Sequence, residues 1–230
     1  MNDIVSEYRE LLTSDESIAS LDNAIRLAAQ IAIGNRRSDG KGWYRLLNAS
    51  PFGSKRTGST TAQKLKEVQW ALVTLPRQVT RHLARLPEDQ YSLLMDALLV
   101  VFHQAYFALL PRSGAARARL LGIFENFSET LPRAADRFQI AGLIEIERGR
   151  RGAAAESFRA AVASTHSDEH DFITRVQMMW TVLMEQKRWR DAFQMLMDVY
   201  ARAARNDLDE VRYMLLETFN TSRSPSQKAS

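Results

Sequence analysis

The chain has 230 residues, 45% hydrophobic and 25% charged, with 31 Lys and Arg against 27 Asp and Glu; this is ordinary globular composition, enough for one good core or two small ones. It contains no cysteine, which excludes a disulfide scaffold, a thiolate metal site, an iron–sulfur cluster and a cysteine nucleophile, and leads us to expect a reducing, cytoplasmic setting. Met1–Asp15 carries four acidic groups and one arginine, the reverse of a secretory leader.

Apolar residues recur at helical spacing nearly throughout, and no alternating stretch bounded by hairpin turns is found, so the expected fold class is all-α. A short helix is expected around Ile4–Leu12. Thr13-Ser14-Asp15-Glu16 forms a capping box for a helix with Ile18, Leu21, Ile25 and Ala28 on one face, stopping at Gly34. Residues 34–61 are rich in Gly and Ser, and read as a long loop in which only Trp43–Leu47 resembles a helical turn. Helix resumes near Ala62, is interrupted or kinked at Pro76, and ends near Leu86-Pro87. The apolar run Leu93–Leu110 approaches the length of a membrane span, but Asp96, His103 and Gln104 are costly in hydrocarbon. It is therefore read as the central helix of the N-terminal half, Glu88–Leu110, and no membrane association is expected. Further helices are expected over Ala115–Glu129, Arg133–Arg148, Ala153–Ser164, Asp168–Gln186, Arg190–Arg205 and Leu208–Phe219. The resulting organisation is an N-terminal region 1–130, a hairpin region 131–220 and a polar tail 221–230.

Charge is unevenly distributed. Residues 1–33 hold 2 basic and 6 acidic groups, whereas residues 34–85 hold 11 and 2. Arg36, Arg37, Lys41, Arg45, Lys55, Arg56, Lys64 and Lys66 alternate with Trp43, Tyr44 and Phe52, a pattern that could neutralise phosphates while rings stack on bases. The same basic segment could equally pair with the acidic first helices or with an acidic protein.

Motifs for catalysis or cofactor binding are incomplete, so no cofactor or metal is expected. The glycines of Gly34–Gly42 are one residue too far apart for a phosphate-binding loop, Gly42 stands where a magnesium-binding hydroxyl belongs, and a helix rather than a strand leads in. His166, Asp168, His170 and Asp171 are clustered ligand types, but acidic groups there more simply cap a helix. An enzymatic reading would need Asp96, His103 and Glu145 to converge in space. Of Met178, Met179, Trp180, Met184, Trp189, Met195, Met197 and Met214, most are core by spacing; the few left exposed would mark a binding face.

Two helix pairs of the C-terminal half align when offset by 38 residues. In the first, Phe138, Ala141 and Gly142 precede a turn at Gly149, followed by Ala154, Phe158 and Ala161. In the second, Val176, Met179, Trp180 and Leu183 precede Lys187-Arg188, followed by Trp189, Ala192, Leu196 and Val199. This pattern resembles a tetratricopeptide repeat, over Arg133–Ala204 with a possible capping helix to Phe219. It departs from that family at Glu145, where an aromatic is usual, and at His166 and Ala204, where a proline is expected. Its spacing also exceeds the usual repeat of about 34 residues. The resemblance implies stacked hairpins presenting a surface to a peptide or protein. The expected function is therefore a non-enzymatic adaptor or scaffold module, with Trp180 and Trp189 as apolar anchors and Arg148, Arg150 and Arg151 as steering charges. The alternative is a nucleic-acid- or polyanion-binding accessory protein acting through residues 36–66.

Overall fold

The computed structural model describes residues 21–33, 61–82, 88–110, 114–167, 171–203 and 207–223. The described residues form helices and the turns between them, with no strand, so the protein is all-α. Contacts divide the chain into two units, Met1–Thr130 and Leu131–Ser230.

In the first unit, α1 (Leu21–Ile33) packs against α4 (Glu88–Leu109). Small side chains bring α1 close: Ala24, Ala28 and Ala32 are buried with Leu21 and Ile25. Thr61–His82 runs without a break as α2 (Thr61–Gln69), a π-helical turn (Trp70–Thr74) and α3 (Leu75–His82). The sequence predicts an interruption or kink at Pro76; the chain instead widens one turn earlier, where the Leu75 amide bonds to the Trp70 carbonyl five residues back. Widening draws the preceding turn away from the proline ring, which would clash in regular α winding.

Helix α4 is long and apolar enough to cross a membrane. One side of it, including Leu94, Leu98, Val101 and Ala105, is buried in this unit, while Phe107 near its end is exposed. Phe102 lies edge-on to Phe124 of α5 (Gly114–Ser128), with ring centroids 4.6 Å apart.

The second unit begins with two hairpins, α6 (Ala134–Glu147) with α7 (Arg151–Ala163), and α8 (Phe172–Glu185) with α9 (Trp189–Tyr200), and ends with α10 (Leu208–Arg223). The two turns share one geometry at an offset of 38 residues. In the first, the amides of Arg148, Gly149 and Arg150 bond to the carbonyls of Ile144, Ile146 and Glu145 at 3.1, 2.9 and 2.9 Å. In the second, those of Gln186, Lys187 and Arg188 bond to Val182, Met184 and Leu183 at 3.1, 3.0 and 2.9 Å. This is the bonding that closes a helix through a left-handed residue. That residue is Gly149, with φ 74°, in one turn and Lys187, with φ 56°, in the other. Within the first hairpin, a Cβ on Gly142 would lie 2.6 Å from the Phe158 ring, so the absent side chain is what admits the phenylalanine.

In the second unit, helix limits differ from expectation by four or five residues at three places. Helix α8 starts at Phe172 rather than Asp168. Helix α9 ends at Tyr200, five residues early. There the Arg202 guanidinium bonds to the Val162 carbonyl at 3.3 Å and sits 5.1 Å from the Phe172 ring centroid. Helix α10 continues past Phe219 to Arg223; within it the buried Thr218 hydroxyl donates to the Met214 carbonyl at 2.7 Å.

A buried charge joins these helices. Arg175 of α8 is 1% exposed. Its Nε donates to Gln139 Oε1 at 2.9 Å, one Nη to Thr165 Oγ1 at 2.8 Å, and the other forms an ion pair with Asp136. Asp171 lies 3.6 Å away as a second carboxylate. Removing one member of such a pair strands the other without solvent, so Arg175→Ala should destabilise the protein by about 3–5 kcal/mol in urea unfolding. The double variant Arg175→Met, Asp136→Leu should lose far less. At the two turns the signs should oppose: Gly149→Ala costs about 1 kcal/mol, and Lys187→Gly contributes a similar amount, both read from the same unfolding curves.

Candidate partner-docking groove

The apolar core of the second unit is built from one stripe of each helix: Ala154 and Phe158 of α7, Val176, Met179 and Leu183 of α8, Ala192, Leu196 and Val199 of α9, Val211 and Met214 of α10. Helix α9 carries a second stripe, Trp189-Phe193-Met197, at spacing four. A helix can turn only one broad face inward, so this second stripe stays outside. Phe193 and Met197 are 44% and 46% exposed, and on α10 Leu216 and Phe219 are 63% and 44% exposed.

Bonds hold α10 against both α8 and α9. The Trp180 indole N–H of α8 donates to Thr218 Oγ1 at 2.9 Å, and Gln177 donates to Glu210 at 2.6 Å. The Arg212 guanidinium donates to the Tyr200 hydroxyl at 3.1 Å and lies over its ring. At the opposite end, Trp189, Phe193, Phe219 and Ser222 line an open groove of about 860 Å³, rimmed by Lys187, Arg188 and Arg190. With Tyr200 against Arg212 at one end and Phe193 across from Phe219 at the other, α9 and α10 run antiparallel. Met197 and Leu216 fall between those ends. The groove itself is aromatic with a basic mouth, and the exposed Met197 and Leu216 lie beyond its lining on the same two helices; we call this α9–α10 surface the trough, a form suited to an amphipathic helix.

The residues expected to bind a partner are distributed unevenly around this trough. Trp189 lines it half-buried. Trp180 lies beneath, half-buried, packed on the core with its N–H engaged by Thr218. The three arginines lie at the turns between helices and are ion-paired: Arg148 and Arg150 with Glu145, Arg151 with Glu185 at 3.0 Å. Of the polyanion-binding set, Lys64 is half-exposed on α2, while Arg36, Arg37, Lys41, Trp43, Arg45, Lys55 and Arg56 lie outside the described residues. Phe193, Leu216 and Phe219 were not singled out by the sequence reading. The doubled stripe of α9 is the feature that could have found Phe193, but at single-helix level it is indistinguishable from ordinary core.

Other candidate chemistry resolves locally. Asp171 faces Arg175, and Asp168 and His170 lie outside the described residues. His103 stands edge-on to Phe102, with centroids 5.1 Å apart. Glu145 closes the first turn twice, through its carbonyl to the Arg150 amide and through its carboxylate to the Arg150 guanidinium. The hydrogen bond from Arg150 holds this carboxyl below its ordinary range against the opposing effect of burial, and Arg148 adds to the depression.

Comparison with family profiles, curated proteins and solved structures finds no match for the chain.

Because the folded carboxyl titrates below the unfolded one, the Glu145 contribution is complete above the unfolded value and lost as pH falls through the folded value. The stability difference between the native chain and Glu145→Gln should therefore be constant near neutral pH and shrink in acid, as measured by urea unfolding at stepped pH.

Proposed function

We propose that the protein is a non-enzymatic interaction module, an adaptor or scaffold subunit, that holds another polypeptide on the trough between α9 and α10. The observation that carries this reading is the exposure of Phe193, Met197, Leu216 and Phe219 on the two neighbouring helices α9 and α10, four of the six large apolar or aromatic side chains exposed among the described residues of this unit. Burying such a side chain fully is worth about 1.5–3 kcal/mol, so a protein keeps several exposed in a row mainly where something covers them. The Met197 thioether adapts to the shape of what it meets. We further read the two hairpins as a short tetratricopeptide-like array with α10 as its terminal helix. The matching turns at Gly149 and Lys187, and the Gly142–Phe158 approach, support that reading. The Glu145 departure has a local explanation, since its carboxylate clamps the turn by charge.

Affinity capture from the native cell with the full chain, beside Leu216→Asp, tests the function. A stoichiometric protein should be retained by the native chain through nuclease treatment and from low to physiological salt, and should fall at least tenfold with the variant. A purely apolar contact is little affected by salt, whereas binding through many Lys and Arg weakens steeply. Loss of all captured material on nuclease treatment would instead favour the polyanion reading.

A further inference from the structure

The two hairpins show what covers a first helix in this unit. Helix α8 is bonded back to α6 through Arg175, and its stripe Val176-Met179-Leu183 is sealed by Ala192, Leu196 and Val199 of its own antiparallel partner α9. Helix α10 begins in the same way, bonded back to α8 through Thr218 and Glu210. No helix among the described residues covers its stripe Leu216-Phe219. The residues that follow Arg223 in this sequence, Ser-Pro-Ser-Gln-Lys-Ala-Ser, hold no large apolar side chain and include a proline. Among the described residues, the position left open is that of a helix antiparallel to α10.

Charge sets the character of its first turn. A helix antiparallel to α10 begins beside the α10 C-terminus, where Phe219 and Ser222 share the groove with Lys187 and Arg190. Arg188 there is neutralised by Asp191 at 2.6 Å. Lys187 and Arg190, by contrast, make no ion pair with another described residue. At the far end Arg212 is already occupied by Asp209 and the Tyr200 hydroxyl. The amino end of a helix carries partial positive charge and favours Asp or Glu in its first turn. Two cations facing that turn add to the same preference.

We propose that the α9–α10 trough receives a helix of a partner protein that runs antiparallel to α10, carries apolar residues at i, i+3 or i+4, and i+7, and opens with an acidic first turn. The inference rests on the interaction-module reading and specifies its partner.

The test selects a displayed library of helical peptides, sixteen residues long like α10, on the full native chain, with counter-selection on Leu216→Asp. Selected peptides should share the apolar spacing and place Asp or Glu in the first turn. The tightest of them, made synthetically, should bind at least tenfold more weakly to Lys187→Glu, Arg190→Glu, and exchanging its first-turn acids for lysine should restore affinity on that variant. Because the chain has no cysteine, Ser222→Cys should cross-link a peptide bearing cysteine at its N-terminus and not one bearing it at its C-terminus. Selected peptides without an acidic bias, affinity unchanged by the charge reversal, or cross-linking at the C-terminus would overturn the inference while leaving the trough a docking site. Failure to obtain any peptide that discriminates against Leu216→Asp would remove the docking reading as well. A dimer in sedimentation that dissociates with Leu216→Asp would give the trough to a second copy of the chain and overturn the proposal of a foreign helix. Circular dichroism melting checks that each variant is folded; Leu216 is 63% exposed, so its replacement leaves the core intact.

Discussion

Placement of the C-terminal helices depends on one guanidinium with no access to water. Arg175 can be buried only if every donor it carries is satisfied, and Asp136, Gln139, Thr165 and Asp171 come from three separate stretches of chain to satisfy it. Apolar packing alone tolerates sliding of one helix along another. A planar fork with fixed donor directions does not. The first hairpin is thereby locked to α8, and α8 in turn holds α9 by packing and α10 through Trp180 and Gln177. The trough is thus shaped by a charge that lies outside it.

Charge and shape have separate roles around the trough. Most arginines of this unit are structural: they close turns, join helices or stack on rings. Of the basic groups at the trough mouth, Arg188 is paired with Asp191, while Lys187 and Arg190 make no ion pair with another described residue. The exposed apolar side chains there are divided between two helices, Phe193 and Met197 on α9 and Leu216 and Phe219 on α10.

Much of the architecture was legible in the sequence because it rests on local rules. The helical periodicity, the turns at Gly149 and Lys187 and the close approach at Gly142 each follow from a few neighbouring residues. Arg175 was not legible, because an arginine on an apolar stripe looks like an exposed residue until its partners, 36 and 39 positions away, are known. Phe193, Leu216 and Phe219 were missed for the converse reason: they have core spacing, and only the absence of a covering helix distinguishes them from core. The arginines at 148, 150 and 151 illustrate a further limit, since sequence shows charge but not the carboxylates that turn geometry brings beside it. The end of α9 fell earlier than expected, next to the tertiary bonds of Arg202.

The widened turn at Trp70–Thr74 bears on how the first unit tolerates change in length. A π turn houses one residue more than regular winding without altering the phase of the helix on either side. Leu65 and Val68 before it and Leu75 after it are all buried. Excising a single residue from 70–74 would restore ordinary winding and leave Leu75 facing the core, but would return the proline ring to a carbonyl it cannot clear. The bulge therefore works as a spacer that reconciles an awkward residue with an unbroken rod.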